Sequence, residues 1–129
     1  MIRRDYILDQ AKEFAHFLAL LLGLVQKSEM EEAQLQMNGF LEKKYQLSEH
    51  FTFEDILTLY QNKSISLDEV KGILQLVIFR GELFQKINEN EKARIDFEKA
   101  LQMIIFLENN SKMFDFALLN QKNNVLKYL

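Results

Sequence analysis

The chain contains no proline and only four glycines among its 129 residues, and this shortage limits its fold more than any other feature. An average chain of this length would carry about six prolines and about nine glycines. Turn-rich β architectures, collagen and Pro/Gly-rich linkers all depend on those residues. Because 48% of the residues are hydrophobic, a disordered acidic chain is disfavoured as well. We therefore expect one all-α domain spanning residues 1–129.

Hydrophobic residues at three- and four-residue spacing predict six helical segments in this domain. Residues 1–45 contain two of them, which we interpret as a helical hairpin. A short inserted helix follows at 52–62, then a second hairpin at 66–108 and a capping helix at 111–129. No stretch alternates between apolar and polar residues for long enough to predict a strand.

Side chains at the predicted helix starts agree with this division. Ser66, followed three residues later by Glu69, has the spacing of a capping box, and Thr52 with Asp55 opens the short helix in the same way. Ser28 is predicted to cap the second helix.

The second predicted hairpin contains small and aromatic residues at characteristic positions, namely Gly81, Phe84, Ala93, Phe97, Ala100 and Leu101. Over residues 74–107 it resembles a tetratricopeptide repeat. Small residues at 81, 93 and 100 allow two helices to approach closely, while Phe84 and Phe97 fill the seam. The resemblance implies antiparallel hairpins stacked in a right-handed array, with residues 1–45 as a degenerate copy.

Three residues depart from the repeat pattern. Val77 replaces its tryptophan, Arg80 replaces a leucine, and Ile105 replaces the proline that ends the repeat. The whole chain also resembles a group of short uncharacterised bacterial proteins. That resemblance lies in the opening Met-Ile-Arg-Arg-Asp-Tyr-Ile, in the Leu-Leu-Gly-Leu run ending at Leu24 and in the repeat-like C-terminal half. It implies no activity.

The tetratricopeptide resemblance also implies a binding face. The first helix of each hairpin in that family lines a concave surface, which here would carry Gln75, Ile78, Glu82, Gln85 and Lys86. Ile78 and Glu82 occupy the places of the Lys and Asn residues that clamp a peptide's terminal carboxylate in some members. Carboxylate-clamp recognition is therefore disfavoured.

Arg80 stands where the repeat has a buried leucine. A buried guanidinium must be paired, and Asp96 or Glu98 on the facing helix are the candidate partners. The alternatives are a side chain that reaches solvent or a charge that binds an acidic group of a partner.

Residues suited to catalysis or to metal binding are few. Only His16 and His50 have a side chain that titrates near neutral pH. Glu13 and His16 form one Glu-x-x-His pair, but a carboxylate di-iron site needs a second pair and two further glutamates. The glycines are too scattered for a phosphate-binding loop. We expect no catalytic residues, no cofactor and no metal.

Charge and hydropathy bear on partners and on location. Sixteen basic and nineteen acidic residues give a net charge of −3, and no basic stripe suited to nucleic acid is present. The apolar run at 17–25 is too short to span a bilayer and lacks a signal-peptide cleavage site. Together with the absence of cysteine, these features predict a cytoplasmic protein that binds neither nucleic acid nor membrane.

The function predicted from these features is a non-catalytic protein–protein interaction module or adaptor of the helical-repeat type. Its partner is an unidentified protein or peptide. The first alternative is a structural homodimer without a separate ligand, for which Phe106, Phe114, Phe116 and Tyr128 are candidate contacts. An enzyme with an unrecognised site is less favoured.

Overall fold

In a computed structural model of the protein, the backbone is described for residues 2–111 and 114–129, and the side chains for 9–111 and 114–129. The prediction of an all-α fold is confirmed, since these residues form six helices and no strand. The helices are α1 (Ile2–Gln26), α2 (Met30–Tyr45), α3 (Phe53–Gln61), α4 (Leu67–Lys86), α5 (Asn90–Asn110) and α6 (Phe116–Leu126).

The backbone divides into two compact units, Met1–Phe51 and Thr52–Leu129. The boundary falls in the connection between α2 and α3, where the sequence also predicts a break between helices. We call these parts unit 1 and unit 2. The single domain over residues 1–129 stays a prediction.

Unit 1 is a hairpin of the antiparallel helices α1 and α2. Its aromatic rings pack across the helix pair: Phe17 stacks on Phe40 with centroids 4.3 Å apart, and Phe14 meets Phe40 edge-on at 5.6 Å. Lys44 Nζ bonds Glu13 Oε2 at 2.7 Å and lies over the Phe14 and Phe40 rings. This contact joins the last turn of α2 to the middle of α1.

The capping prediction at Ser28 is wrong. Ser28 has a left-handed φ of 62°, and its N–H donates to the Val25 carbonyl while that of Glu29 donates to Leu24. Ser28 therefore closes α1 rather than opening α2. Glu29 is the N-cap of α2, without a side-chain capping bond.

Two capping boxes fix the helix starts in unit 2, as the sequence predicts. The Ser66 N–H donates to Glu69 Oε1 at 3.1 Å, and the Glu69 N–H donates to Ser66 Oγ at 3.1 Å. Thr52 and Asp55 exchange the equivalent bonds at the start of α3. In each box the side chains satisfy N–H groups that the helix leaves without partners.

Helices α4 and α5 form the central hairpin of unit 2, joined by residues 87–89. A Cβ placed on Gly81 would lie 2.8 Å from Phe97 Cε1, and Ala93, Phe97 and Ala100 are almost fully buried. The predicted role of Gly81 as a close-contact position is thereby confirmed. The stacked tetratricopeptide-like array remains a prediction.

Helix α5 also packs against α3 on one side and α6 on another. Tyr128 stacks on Phe97 with centroids 4.3 Å apart and planes 4° from parallel, while Phe106 packs edge-on against Phe53 and Tyr60. Phe106 and Tyr128, two candidate dimer contacts, therefore pack against other rings of unit 2, although Tyr128 stays 38% exposed.

The last predicted segment, 111–129, is shorter in the structure. Helix α6 begins at Phe116 because the Asp115 side chain accepts from the Leu118 N–H and caps it there. Lys112 and Met113 lie outside the described residues, as do the side chains of Arg3, Arg4 and Ile7.

Candidate functional site

Arg80, Asp96 and Lys99 form a buried charged cluster between α4 and α5. Arg80 Nε donates to Asp96 Oδ2 at 2.8 Å and its Nη2 to Oδ1 at 2.7 Å. Lys99 Nζ lies 3.7 Å from the same Oδ1. The Arg80 side chain is 3% exposed, which places it in the interior. Asp96 is its partner, whereas Glu98, the other candidate, is exposed and bonds Arg94.

In this cluster the Arg80 and Lys99 cations share the Asp96 carboxylate. The pKa of the Lys99 ammonium is lowered to about 8, mainly by burial and in addition by the Arg80 charge, while Asp96 and Asp55 oppose the shift. The Arg80 guanidinium donates hydrogen bonds to both carboxylate oxygens of Asp96. This geometry favours a structural role for Arg80 over contact with a partner protein.

The binding face predicted on α4 is present in part. Gln75, Gln85 and Lys86 are exposed, and Glu82 is half-buried. Burial raises the pKa of the Glu82 carboxyl, and the nearby Lys86 charge opposes that rise. The prediction is wrong for Ile78, which is only 8% exposed and therefore does not lie on the accessible face.

Helical geometry explains this correction. Ile78 lies one turn after Leu74, a fully buried residue, so it points to the interior with it. Phe79, which is half-buried, takes its place on the outer side. One row of accessible residues on α4 recurs every three or four positions, and we call this row the α4 stripe: Asp68, Lys71, Gln75, Phe79, Glu82 and Lys86.

The α4 stripe ends at a groove of about 740 Å³ in unit 2. Phe114 and Phe116 are 68% and 74% exposed and meet edge-on at 4.7 Å. We call this feature the aromatic groove; it is lined by Leu67, Asp68, Lys71, Leu107, Asn110, Ser111 and residues 114–117. Asp68 and Lys71 belong to both the groove and the stripe, so the two features form one continuous surface.

Asp115 lies between the two phenylalanines in sequence and is the N-cap of α6. It accepts the N–H of Leu118 at 3.1 Å, and Lys71 Nζ lies 3.5 Å from its other oxygen. The hydrogen bond from Leu118 lowers the pKa of the Asp115 carboxyl, and the Lys71 charge lowers it further. Asp115 therefore stays ionised and links the start of α6 to the stripe.

The sequence identified Phe114 and Phe116 only as possible dimer contacts. The predicted helix over residues 111–129 covered both phenylalanines, whereas α6 includes only Phe116. The signal that locates Phe114 outside the helix, and Phe116 at its first position, is Asp115 itself, a favoured N-cap residue three positions before Leu118.

The two histidines lie on the surface. Glu13 is engaged by Lys44, His16 and His50 are exposed, and no group of three potential metal ligands occurs among the residues that the structure describes. Within the same residues, no helix combines the length and apolar character needed to cross a bilayer.

Comparisons of the chain with protein-family models, with curated proteins and with solved structures gave no match. The features that bear on function are therefore those of the chain itself.

Proposed function

We propose that the protein is a non-catalytic protein–protein interaction module or adaptor of the helical-repeat type. Its partner is a peptide segment that lies along the α4 stripe and places an apolar side chain in the aromatic groove. One observation carries the proposal: two phenylalanines, 68% and 74% exposed, stand side by side over a groove.

Exposed aromatic rings in contact with each other favour binding. Burying one phenylalanine against an apolar partner stabilises a complex by about 1.5–3 kcal/mol. Aromatic anchors of this kind contribute most of the energy of many interfaces. Asp115, which lies between the two phenylalanines in sequence, caps the start of α6.

The rest of the surface supplies specificity. The α4 stripe carries Asp68, Lys71, Glu82 and Lys86, so charges of both signs surround the apolar anchor as in the polar rim of an interface. Ile78 and Glu82 stand where a carboxylate clamp would need a lysine and an asparagine. We therefore expect an internal segment of the partner to bind rather than its C-terminus.

The proposal includes the repeat-like character of the hairpin. The close contact of Gly81 with Phe97 and the burial of Ala93 and Ala100 support it, because the tetratricopeptide resemblance implies small residues there. A cytoplasmic location and a relationship to the short bacterial proteins are proposed on the sequence features alone.

Selection of a display library of random peptides on the purified full chain tests the proposal. We expect peptides with an aromatic or aliphatic anchor, and we expect Phe116→Ala to weaken their binding about tenfold. Ile95→Ala is the matched control, because Ile95 is an exposed apolar residue of α5 that does not line the groove. Peptides that bind both variants as well as the wild type would contradict the proposal, as would a selection without binders.

A structural homodimer remains the second candidate function, and exposed residues of α2 favour it, as described next. An enzyme with an unrecognised site has no such support among the described residues.

A further inference from the structure

Helix α2 has an exposed line of five residues on its outer side. Glu32, Leu35, Gln36, Gly39 and Lys43 recur at helical spacing and are all exposed. We call this set the α2 stripe. It belongs to unit 1 and shares no residue with the aromatic groove or the α4 stripe.

Gly39 has no contact within the chain that requires a glycine. A Cβ placed there would meet no atom within 4 Å, whereas a Cβ on Gly81 would meet the Phe97 ring at 2.8 Å. Glycine inside a helix lowers its stability relative to alanine. A residue without a side chain on an exposed helix allows a neighbouring helix to approach closely. Gly81 has this role inside unit 2, where α5 approaches α4 through Phe97.

An apolar groove adjoins Gly39. It has a volume of about 380 Å³ and is lined by Phe17, Phe40 and residues of the α2 stripe. Leu35, which is 67% exposed, also borders it. A large exposed leucine beside a groove gives this helix both a projecting residue and a place to receive one.

The charges on the stripe are arranged for self-complementarity. Glu32 lies near its start and Lys43 near its end, at equal distance from the midpoint between residues 37 and 38. Among the described residues Lys43 forms no ion pair, while its neighbour Lys44 bonds Glu13 at 2.7 Å. Glu32 accepts a hydrogen bond from Gln36 at 2.8 Å and forms no ion pair within the part of the chain that the structure describes.

We propose that a second copy of this chain packs antiparallel across the α2 stripe, with a two-fold axis near residues 37 and 38. In this arrangement Glu32 of each copy faces Lys43 of the other, so the ion pair forms twice. Leu35 of each copy lies over Gly39 of the other. The charges favour a second copy over an unrelated helix, because an antiparallel copy presents the complementary charge at both ends. This inference does not rest on the proposed function.

Charge reversal tests the interface in the full chain. In sedimentation equilibrium the wild type is expected to dimerise, and Glu32→Lys and Lys43→Glu are each expected to weaken the dimer about tenfold. The double variant E32K/K43E restores complementarity and therefore dimerisation. A mixture of the two single variants forms a heterodimer. Glu91→Lys is the matched control, since Glu91 is an exposed acid in the first turn of α5.

Gly39→Ala provides a second test that separates folding from association. The added methyl group enters open space within one copy, so the melting temperature rises at concentrations where the chain is monomeric. The same methyl group holds the two backbones of the dimer apart and weakens association. Gly23→Ala is the matched control, because its Cβ also meets no atom within 4 Å and Gly23 lies outside the stripe. It is expected to leave the dimer unchanged.

Three results would overturn the inference. One is a wild type that stays monomeric at the highest concentration that remains soluble. The second is a dimer indifferent to Lys43→Glu and Gly39→Ala, and the third is a mixture of the single variants that forms no heterodimer. Phe116→Ala is expected to weaken peptide binding but to leave this dimer intact. A failure of the dimer inference can therefore be distinguished from a failure of the proposed peptide site.

Discussion

Gly81 and Gly39 both lie inside helices, but only Gly81 faces a neighbouring side chain. Phe97 cannot move away from a methyl group at position 81 without disturbing its stack on Tyr128. We expect Gly81→Ala to destabilise unit 2, because overpacking of about 1–3 kcal/mol exceeds the helical gain of about 1 kcal/mol.

Urea denaturation measures both effects. Gly39→Ala, whose Cβ enters open space, is the opposite case and is expected to stabilise the chain by about 0.5–1 kcal/mol. A higher urea midpoint for Gly81→Ala than for the wild type would contradict the close-contact interpretation.

Lys99 makes stability depend on pH. The pKa of this ammonium is lowered from 10.5 to about 8 by burial. Between those values the folded chain has already lost a proton that the unfolded chain still binds, so the free energy of unfolding rises with pH. The slope from this group is at most about 1.4 kcal/mol per pH unit.

Lys99→Met removes the titrating group. It is expected to abolish the contribution of Lys99 to the rise in the free energy of unfolding between pH 8 and pH 10.5. Its advantage in stability over the wild type is therefore largest below pH 8. The measurement is urea denaturation of both proteins across this range. If the difference in free energy of unfolding between the two proteins stayed constant with pH, Lys99 would not be the group that makes stability depend on pH.

The buried cluster also illustrates how far single residues are predictable. The sequence placed Arg80 on a core position and named Asp96 as one of two acids on the facing helix, because helical spacing determines which residues meet. It did not identify Lys99, whose burial depends on how other parts of unit 2 cover α5. Ile78 was assigned to the wrong side of α4, since adjacent positions near the edge of an apolar stripe differ little in periodicity.

At the level of helices, the serine caps give a matched pair of variants. Ser66 accepts the Glu69 N–H, whereas the structure shows no capping bond from the Ser28 side chain to α2. Ser66→Ala is expected to cost about 1 kcal/mol of stability, and Ser28→Ala less than about 0.5 kcal/mol. Equal losses in chemical denaturation would contradict the assignment of these caps.

The elements predicted well are those whose limits are set by local chemistry. The capping boxes at Thr52 and Ser66 and the breaks around residues 62 and 88 depend on residues close in sequence. The connection at Ser28 was misassigned because a serine in left-handed conformation has the same local pattern as a serine N-cap. The start of α6 was predicted too early, because hydrophobic periodicity does not show at which residue a helix begins after its N-cap.

For the whole molecule, the fold class followed from composition and periodicity, but the exposed surfaces did not. Each unit has its own surface: the α2 stripe on unit 1, and the α4 stripe with the aromatic groove on unit 2. Exposure of Phe114, Phe116 and Leu35 depends on which neighbours the folded chain leaves uncovered. Residue type alone predicts these side chains as buried.

NMR mapping of a selected peptide on the full chain tests the interaction module. The amide chemical shifts are expected to change at Asp68, Lys71, Gln75 and residues 114–117, with smaller changes toward Lys86, while the α2 stripe stays unchanged. Changes confined to the α2 stripe, or scattered over both units, would contradict a binding surface formed by the α4 stripe and the aromatic groove.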